Sequence, residues 1–402
     1  MTRWPDVPLR DLLEKSDAWI RIDPSALYKE VRACLWGKGL ELRGVLEGSE
    51  IASTRRLEVR AHQFLVSRID ARHGAVGLIP EELDGAVVSN DYPVFNINED
   101  RILPAYLGWY AKTSAFVEAC RQASEGTTNR VRLQERRFLE VTVPLPPPIE
   151  QQRVVKQLER LSGYVDSARD THLGAQRDLL ALQPALLRQA FGGREKTHTL
   201  GQLCSTVIDC LHSNPVYSDS GIPTVRSPDV GWGELKLSTA RRTTREEYVR
   251  RTQRGEPQPG DMIVVREGGG TGRAALVPEG EELSLGQRVV ILRPNSTLVD
   301  PRFLLLQWLS PTIQEDLIVP QTKGSASPHL NISALKQFPY AVPPLDEQRR
   351  LVDKLDELLN RVTRVRHHAV VAESLLAATM PSILTVVFGS YSPHGRGVDR
   401  AT

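Results

Sequence analysis

Hydrophobic positions along this chain follow two regimes, and the pair of regimes occurs twice. Val154, Leu158, Leu161, Val165, Ala168, His172, Ala175, Leu179, Leu182 and Leu186 step by four and three in turn, the spacing of a coiled-coil seam. Leu351, Leu355, Leu358, Val362, Val365, Ala369, Ala372, Leu376, Thr379, Ile383 and Val387 repeat the stepping. Each run predicts a helix of about 40 residues, a rod on the order of 60 Å at 1.5 Å per residue. Alanines at matching heptad positions predict that the two helices pack on each other. Before each helix the pattern changes to short runs such as Phe64–Ile69 and Asp261–Arg266, separated by Gly, Asn and Asp. Those runs predict a mainly β domain with a few helices.

The two halves are copies at one offset. Pro146-Pro147-Pro148-Ile149-Glu150-Gln151 aligns without a gap with Pro343-Pro344-Leu345-Asp346-Glu347-Gln348, a shift of 197 residues from 150 to 347. The same shift carries Pro184 onto Pro381 and Phe191-Gly192 onto Phe388-Gly389, so the register survives each helix to its end. A proline inside a helix removes a donor and crowds the preceding turn, which predicts a kink or break at equivalent places. Pro104-Ala105-Tyr106-Leu107 likewise meets Pro301-Arg302-Phe303-Leu304, although the globular parts otherwise share little sequence. The expected organisation is a domain over 1–145, a helix over 146–196, a second domain over 197–342, a second helix over 343–389 and a flexible tail over 390–402. The expected fold class is α+β, with two pseudo-twofold-related, mainly β domains separated by two long helices packed as an antiparallel coiled coil.

Composition narrows the function. The chain has 402 residues, 40% of them apolar, and no long apolar run is read in it, which predicts no membrane segment. The N-terminal Met1-Thr2-Arg3-Trp4-Pro5-Asp6 lacks a signal-peptide core, so a cytoplasmic protein is expected. Cys34, Cys120, Cys204 and Cys210 lack metal-site spacing and are read as free thiols. The net charge of +2 does not announce a nucleic-acid binder, but only about ten of the 51 cationic residues are Lys. Arginine offers a planar fork suited to phosphate and guanine edges.

Two features carry a resemblance: Ile69-Asp70-Ala71-Arg72-His73-Gly74-Ala75-Val76-Gly77-Leu78-Ile79-Pro80 followed by Val88-Ser89-Asn90-Asp91-Tyr92-Pro93-Val94-Phe95, and the proline-Glu-Gln helix start occurring twice. They resemble the DNA-specificity subunit of type I restriction-modification systems over nearly the whole chain. The resemblance implies that the globular parts are target-recognition domains reading two halves of a double-stranded DNA target. It also implies that the chain docks two methyltransferase subunits and a motor/endonuclease subunit. S-adenosylmethionine and ATP then belong to those partners, with no cofactor in this chain. Half-sites on one face of a duplex lie about 34 Å apart per turn, a separation such a rod can hold.

No catalytic motif is read: the Asn/Asp-Pro-Pro-aromatic signature is missing, and Gly268-Gly269-Gly270-Thr271-Gly272-Arg273 has Arg-Ala where a P-loop needs Lys-Ser/Thr. That glycine run is read as a tight turn through which backbone approaches a DNA phosphate. Candidate DNA contacts in the first domain are Arg68, Arg72 and His73 near a strand ending at Ile69, and Thr127, Thr128, Asn129 and Arg130 in a loop. In the second they are Arg266, Thr271, Arg273, Gln287 and Arg288, with Gln321, Lys323, Ser325 and Ser327 in the corresponding loop. A solvated loop shares that composition, and Asp70 is expected to pair with Arg68 or Arg72. His172 is expected as a seam histidine, not a metal ligand, and Arg361, Arg364, Arg366, His367 and His368 as a solvated helix face. The competing readings are a protein-binding coiled-coil scaffold without DNA specificity, and an autonomous modifying enzyme that the missing motifs disfavour.

Overall fold

A computed structural model describes residues 4–126, 131–322 and 328–389. The chain divides into two compact units, Met1–Leu173 with Val370–Thr402, and Gly174–Ala369. The two long helices, Pro148–Phe191 and Leu345–Gly389, each contribute to both.

Within the first unit, a four-stranded antiparallel sheet runs in the order 13–15, 94–97, 64–66, 76–78. A five-stranded sheet runs in the order 19–21, 55–58, 87–88, 27–33, 40–47, with a parallel pair at Glu30 and Val87. Within the second unit, the four-stranded sheet takes the same form as 204–209, 289–294, 262–265, 274–276. A three-stranded sheet of 242–243, 222–225 and 284–285 stands beside it, again with one parallel pair. Completely buried runs such as Met262–Val265 explain why a strand here shows no alternation: both of its faces are covered. The strand expected to end at Ile69 ends at Val66, and 67–75 form a loop containing a single turn at Ala71–His73.

Each domain has a short helix that begins at a proline, Pro104–Tyr110 and Pro301–Trp308, and both long helices are fastened to these. The buried Gln151 side chain accepts from Leu103 N at 2.8 Å and donates to the carbonyls of Arg101 (3.0 Å) and Pro146 (2.9 Å). Gln348 accepts from Asp300 N at 2.8 Å and donates to the carbonyls of Leu298 (2.9 Å) and Pro343 (2.8 Å). All three partners are conjugate at the shift of 197. At the far helix ends, Phe388 packs edge-on against Tyr106 and Tyr110 in the first unit, and Phe191 against Phe303 in the second.

The helices pair in antiparallel order: Val154 and Leu158 share a core with Leu384 and Phe388, while Leu187 and Phe191 share one with Leu355. The expected seam needs three corrections. Leu182 and Val365 are 40% and 49% exposed, whereas Leu187, Leu384 and Phe388 are buried. Near its ends each helix faces a globular core, and the buried stripe follows the 3.6-residue period of a packed surface helix. Pro184 and Pro381 do not end their helices, which run through both; the loss of one donor is outweighed by the ladder on either side. Arg366 is not on a solvated face, since it donates to Gln183 Oε1 (3.3 Å) and to the Leu179 carbonyl (2.9 Å).

The second helix also holds an apolar stretch that the sequence reading passed over. It is long and apolar enough to cross a membrane by length and composition. Here its Leu384 and Phe388 are instead inserted in a protein core.

Gln151→Ala and Gln348→Ala should each cost about 2–4 kcal/mol, because each strands a buried amide N–H and two carbonyls. Gln348→Glu should be no better, since a carboxylate cannot donate to carbonyls. Urea unfolding followed by circular dichroism measures the loss.

Candidate nucleic-acid interface

In each unit a cationic cleft opens where the secondary sheet meets the loop leading into the central strand of the main sheet. The first, about 580 Å³, is lined by Trp19, Ser53, Arg55, Arg56, Ser89, Asn90, Asp91 and Arg132. Strand pairing assembles it: Trp19 stands opposite Leu57, and Leu57 opposite Val88. Arg55 and Arg56 therefore meet the segment Ser89–Asp91 as it leaves the sheet. The Arg55 guanidinium lies 5.7 Å from the centre of the Trp19 ring, within cation–π range. Arg132 pairs with Asp91 at 3.0 Å, and the half-buried Arg56 reaches Glu30 at 3.4 Å.

The second cleft, about 490 Å³, is lined by Tyr217, Arg226, Ser227, Pro228, Gly268, Gly269, Gly270, Arg273, Gln287 and Arg288. Again an aromatic ring carries arginines, with Arg241 at 4.8 Å and Arg226 at 5.8 Å from the centre of Tyr217. Arg226 is fixed by Asp229 at 3.0 Å, a hydrogen bond that also raises its pKa and keeps it charged. The glycine run is a tight turn, with Gly268 and Gly272 at φ of +86° and +92°. A side chain at Gly272 would meet Gln314 Oε1 at 2.7 Å, and Trp308 Nε1 donates to the Gly272 carbonyl at 2.8 Å. The turn is thus bolted to the core while Gly269 stays exposed.

The wall between these residues depends on Arg251. Its side chain is fully buried and donates to the carbonyls of Leu285, Ser213, Leu211 and Gly286. Burial lowers its pKa, against the opposing pull of Glu247. The Leu211–Ser213 loop in turn receives Gln287 Nε2 on the His212 carbonyl at 3.0 Å.

The expected contacts divide. Arg273, Gln287 and Arg288 line the second cleft, and Arg288 is held at φ +67°. Arg68 stands behind the first cleft, bonded to the Asn90 carbonyl (2.9 Å) and to Glu135 (3.0 Å); Glu135, not Asp70, is its acidic partner. Burial opposes ionisation of Glu135, but Lys15 and Arg68 prevail and lower its pKa. Arg266 is buried and paired with Glu267 (2.9 Å) and Asp209 (3.8 Å), so it faces no solvent cleft. Thr271 Oγ1 donates to the Gly268 carbonyl inside the turn at 2.6 Å. Arg72 and His73 bond each other at 3.1 Å away from the cleft lining, and Gln321 is exposed on the helical turn Val319–Thr322. Thr127, Thr128, Asn129, Arg130, Lys323, Ser325 and Ser327 lie outside the described residues. Sequence reading missed Trp19, Arg55, Arg56, Arg132, Tyr217 and Arg226. Aromatic and arginine residues at strand ends were the available signal, but strand register alone brings them together.

Arg251→Met should loosen the second cleft's wall without touching its lining. Hydrogen exchange over 211–213 and 285–287 is expected to run roughly tenfold faster, as local opening becomes easier.

Comparison with known proteins accords with this architecture. Residues 233–369 match the family model described as the type I restriction modification DNA specificity domain. The type I restriction enzyme EcoBI specificity subunit of Escherichia coli is 22% identical over 300 residues, covering 65% of this chain. The match spans 62% of that relative's length, less than two thirds. A chain from a structure concerned with complex assembly and conformational transition of the type I R-M system superimposes with a TM-score of 0.72. It is 20% identical, with 96% of this chain and 98% of that one covered. The HsdS subunit from Thermoanaerobacter tengcongensis gives 0.63 at 20% identity, covering 98% of each chain. At that identity these likenesses carry the fold, and residues 233–369 are similar in sequence to the type I restriction modification DNA specificity domain.

Proposed function

We propose that this chain reads a bipartite sequence in double-stranded DNA, one half-site in the cleft of each unit, and performs no chemistry itself. The observation that carries this reading is that two topologically equivalent domains each present an arginine-on-aromatic cleft at the same sheet end, with different lining residues. A shared frame with unlike linings suits recognition of two different half-sites. Cations and aromatic faces supply phosphate attraction and stacking, while Asn90, Gln287 and Arg288 supply forks for base edges. Arg68, Thr271 and Arg266 then act by positioning the loops around them.

Under this reading the chain works in the cytoplasm, docking two adenine methyltransferase subunits and a motor/endonuclease subunit that bring S-adenosylmethionine and ATP. Exposed apolar side chains on the second helix, Val370 (64%), Leu375 (64%) and Val386 (68%), support protein docking along it. The same observation favours the second reading, a protein-binding scaffold without DNA specificity.

Co-expression with the cognate methyltransferase and mapping of methylated adenines separates the two. A bipartite motif that disappears when this chain is omitted supports DNA reading, and unchanged methylation sinks it. Exchanging residues 1–145 for another recognition domain should alter one half of the motif only. Arg288→Ala should weaken binding by about 1–3 kcal/mol and relax the other half. Affinity measured by fluorescence anisotropy should fall steeply with salt as counterions are released.

A further inference from the structure

The hairpin of strands 27–33 and 40–47 ends in Leu35-Trp36-Gly37-Lys38-Gly39, which lies outside both clefts and was singled out by no motif. Trp36 is 71% exposed and held at φ +64°, an uncommon conformation for a bulky side chain. The loop is nonetheless tightly tied. Trp36 N donates to the His73 carbonyl at 2.7 Å, Gly37 N to Gly74 at 3.2 Å and Cys34 N to Gly39 at 2.8 Å. The approach is close enough that a Cβ on Gly74 would lie 3.0 Å from Gly37 N. The indole stands 5.7 Å from the His73 ring, whose Nε2 is bonded by Arg72. The fold thus fixes a large flat ring in solvent, where apolar surface is disfavoured.

Sheet register places the tip that carries the ring. Strand 27–33 runs parallel to 87–88 through Glu30 and Val87, and 55–58 runs antiparallel to 87–88. The hairpin tip, the segment Ser89–Asn90 and the pair Arg55-Arg56 therefore leave the sheet at one end. The cationic cleft opens at that end, and Lys38, two residues after Trp36 in the same loop, is exposed. The nearby Glu41 is taken up by Arg32 at 2.7 Å. An aromatic ring on a stiff loop among cations matches a stacked, polyanionic partner better than a neutral protein surface.

We propose that Leu35–Gly39 is a wedge: the Trp36 indole inserts between two base pairs at the first half-site, unstacking that step, while Lys38 meets the flanking phosphate. The inference rests on the DNA-reading function proposed above. It is tested with the full chain in complex with methyltransferase subunits, on a duplex bearing the mapped motif. 2-Aminopurine is placed in turn at each position of the first half-site except the methylated adenine. Fluorescence should rise several-fold at one step on binding. Trp36→Ala and Trp36→Gly should abolish the rise and weaken binding roughly tenfold, with Trp36→Phe retaining part of both. Trp36→Gly should melt no lower than the parent, because glycine adopts the positive φ freely.

A rise that persists in Trp36→Ala, or that no position shows, overturns the wedge. Loss of methyltransferase co-purification with the rise intact makes Trp36 a protein contact and also overturns it. If Arg55→Ala and Arg132→Ala leave affinity and its salt dependence unchanged, the DNA reading of the cleft has failed. If they weaken binding and only the 2-aminopurine signal is indifferent to Trp36, the wedge alone has failed.

Discussion

Two buried amides set the geometry on which the rest of this molecule depends. A glutamine side chain has one acceptor and two donors, and at Gln151 and Gln348 the surroundings present one backbone N–H and two carbonyls. Buried polar groups must be matched in this way or cost free energy. The match fastens the first turn of each long helix to the segment that opens a short helix, fixing where and in which direction the long helix starts. Within each unit that same short helix receives the aromatic end of the other long helix: Phe388 on Tyr106 and Tyr110, Phe191 on Phe303. One ten-residue stretch of each domain, 101–110 or 298–307, thus carries both attachments.

A frame held this way leaves the clefts free to differ. Their linings stand at sheet ends and on loops, away from the buried clusters, so a change of residue there disturbs little packing. The supporting bonds are internal: Arg251 to four carbonyls, Trp308 to Gly272, Arg68 to Glu135. Such contacts also separate the net charge from the charge that faces a cleft. Many arginines are neutralised by neighbouring carboxylates, as with Arg266 and Arg293, while others, such as Arg55, Arg273 and Arg288, line the clefts.

The duplicated helices were legible because a heptad seam and its repetition are local properties of the chain, and the shift of 197 was exact at Gln151/Gln348 and Phe191/Phe388. Heptad logic failed where the helix met a domain core, exposing Leu182 and burying Leu187 and Leu384. Periodicity reports a face but not what lies opposite it. The same limit applied to the prolines, since local rules give the cost of Pro184 and Pro381 without the packing that opposes it.

For the candidate interface the division is sharper. Sequence identified the glycine turn and the polar residues ahead of the central strand, Gln287 and Arg288, because turns and strand ends have local signatures. It assigned Arg266 to the surface when ion pairs with Glu267 and Asp209 hold it inside, and it overlooked Trp19, Tyr217 and the strained Trp36. Those residues gain their setting from strands far apart in the chain, so their role depends on register across a sheet. The sequence by itself determined the duplication, the two helices and the glutamine at the start of each. Tertiary structure alone decided which arginines face a cleft and which are buried partners, because burial and pairing are properties of the neighbours that folding supplies.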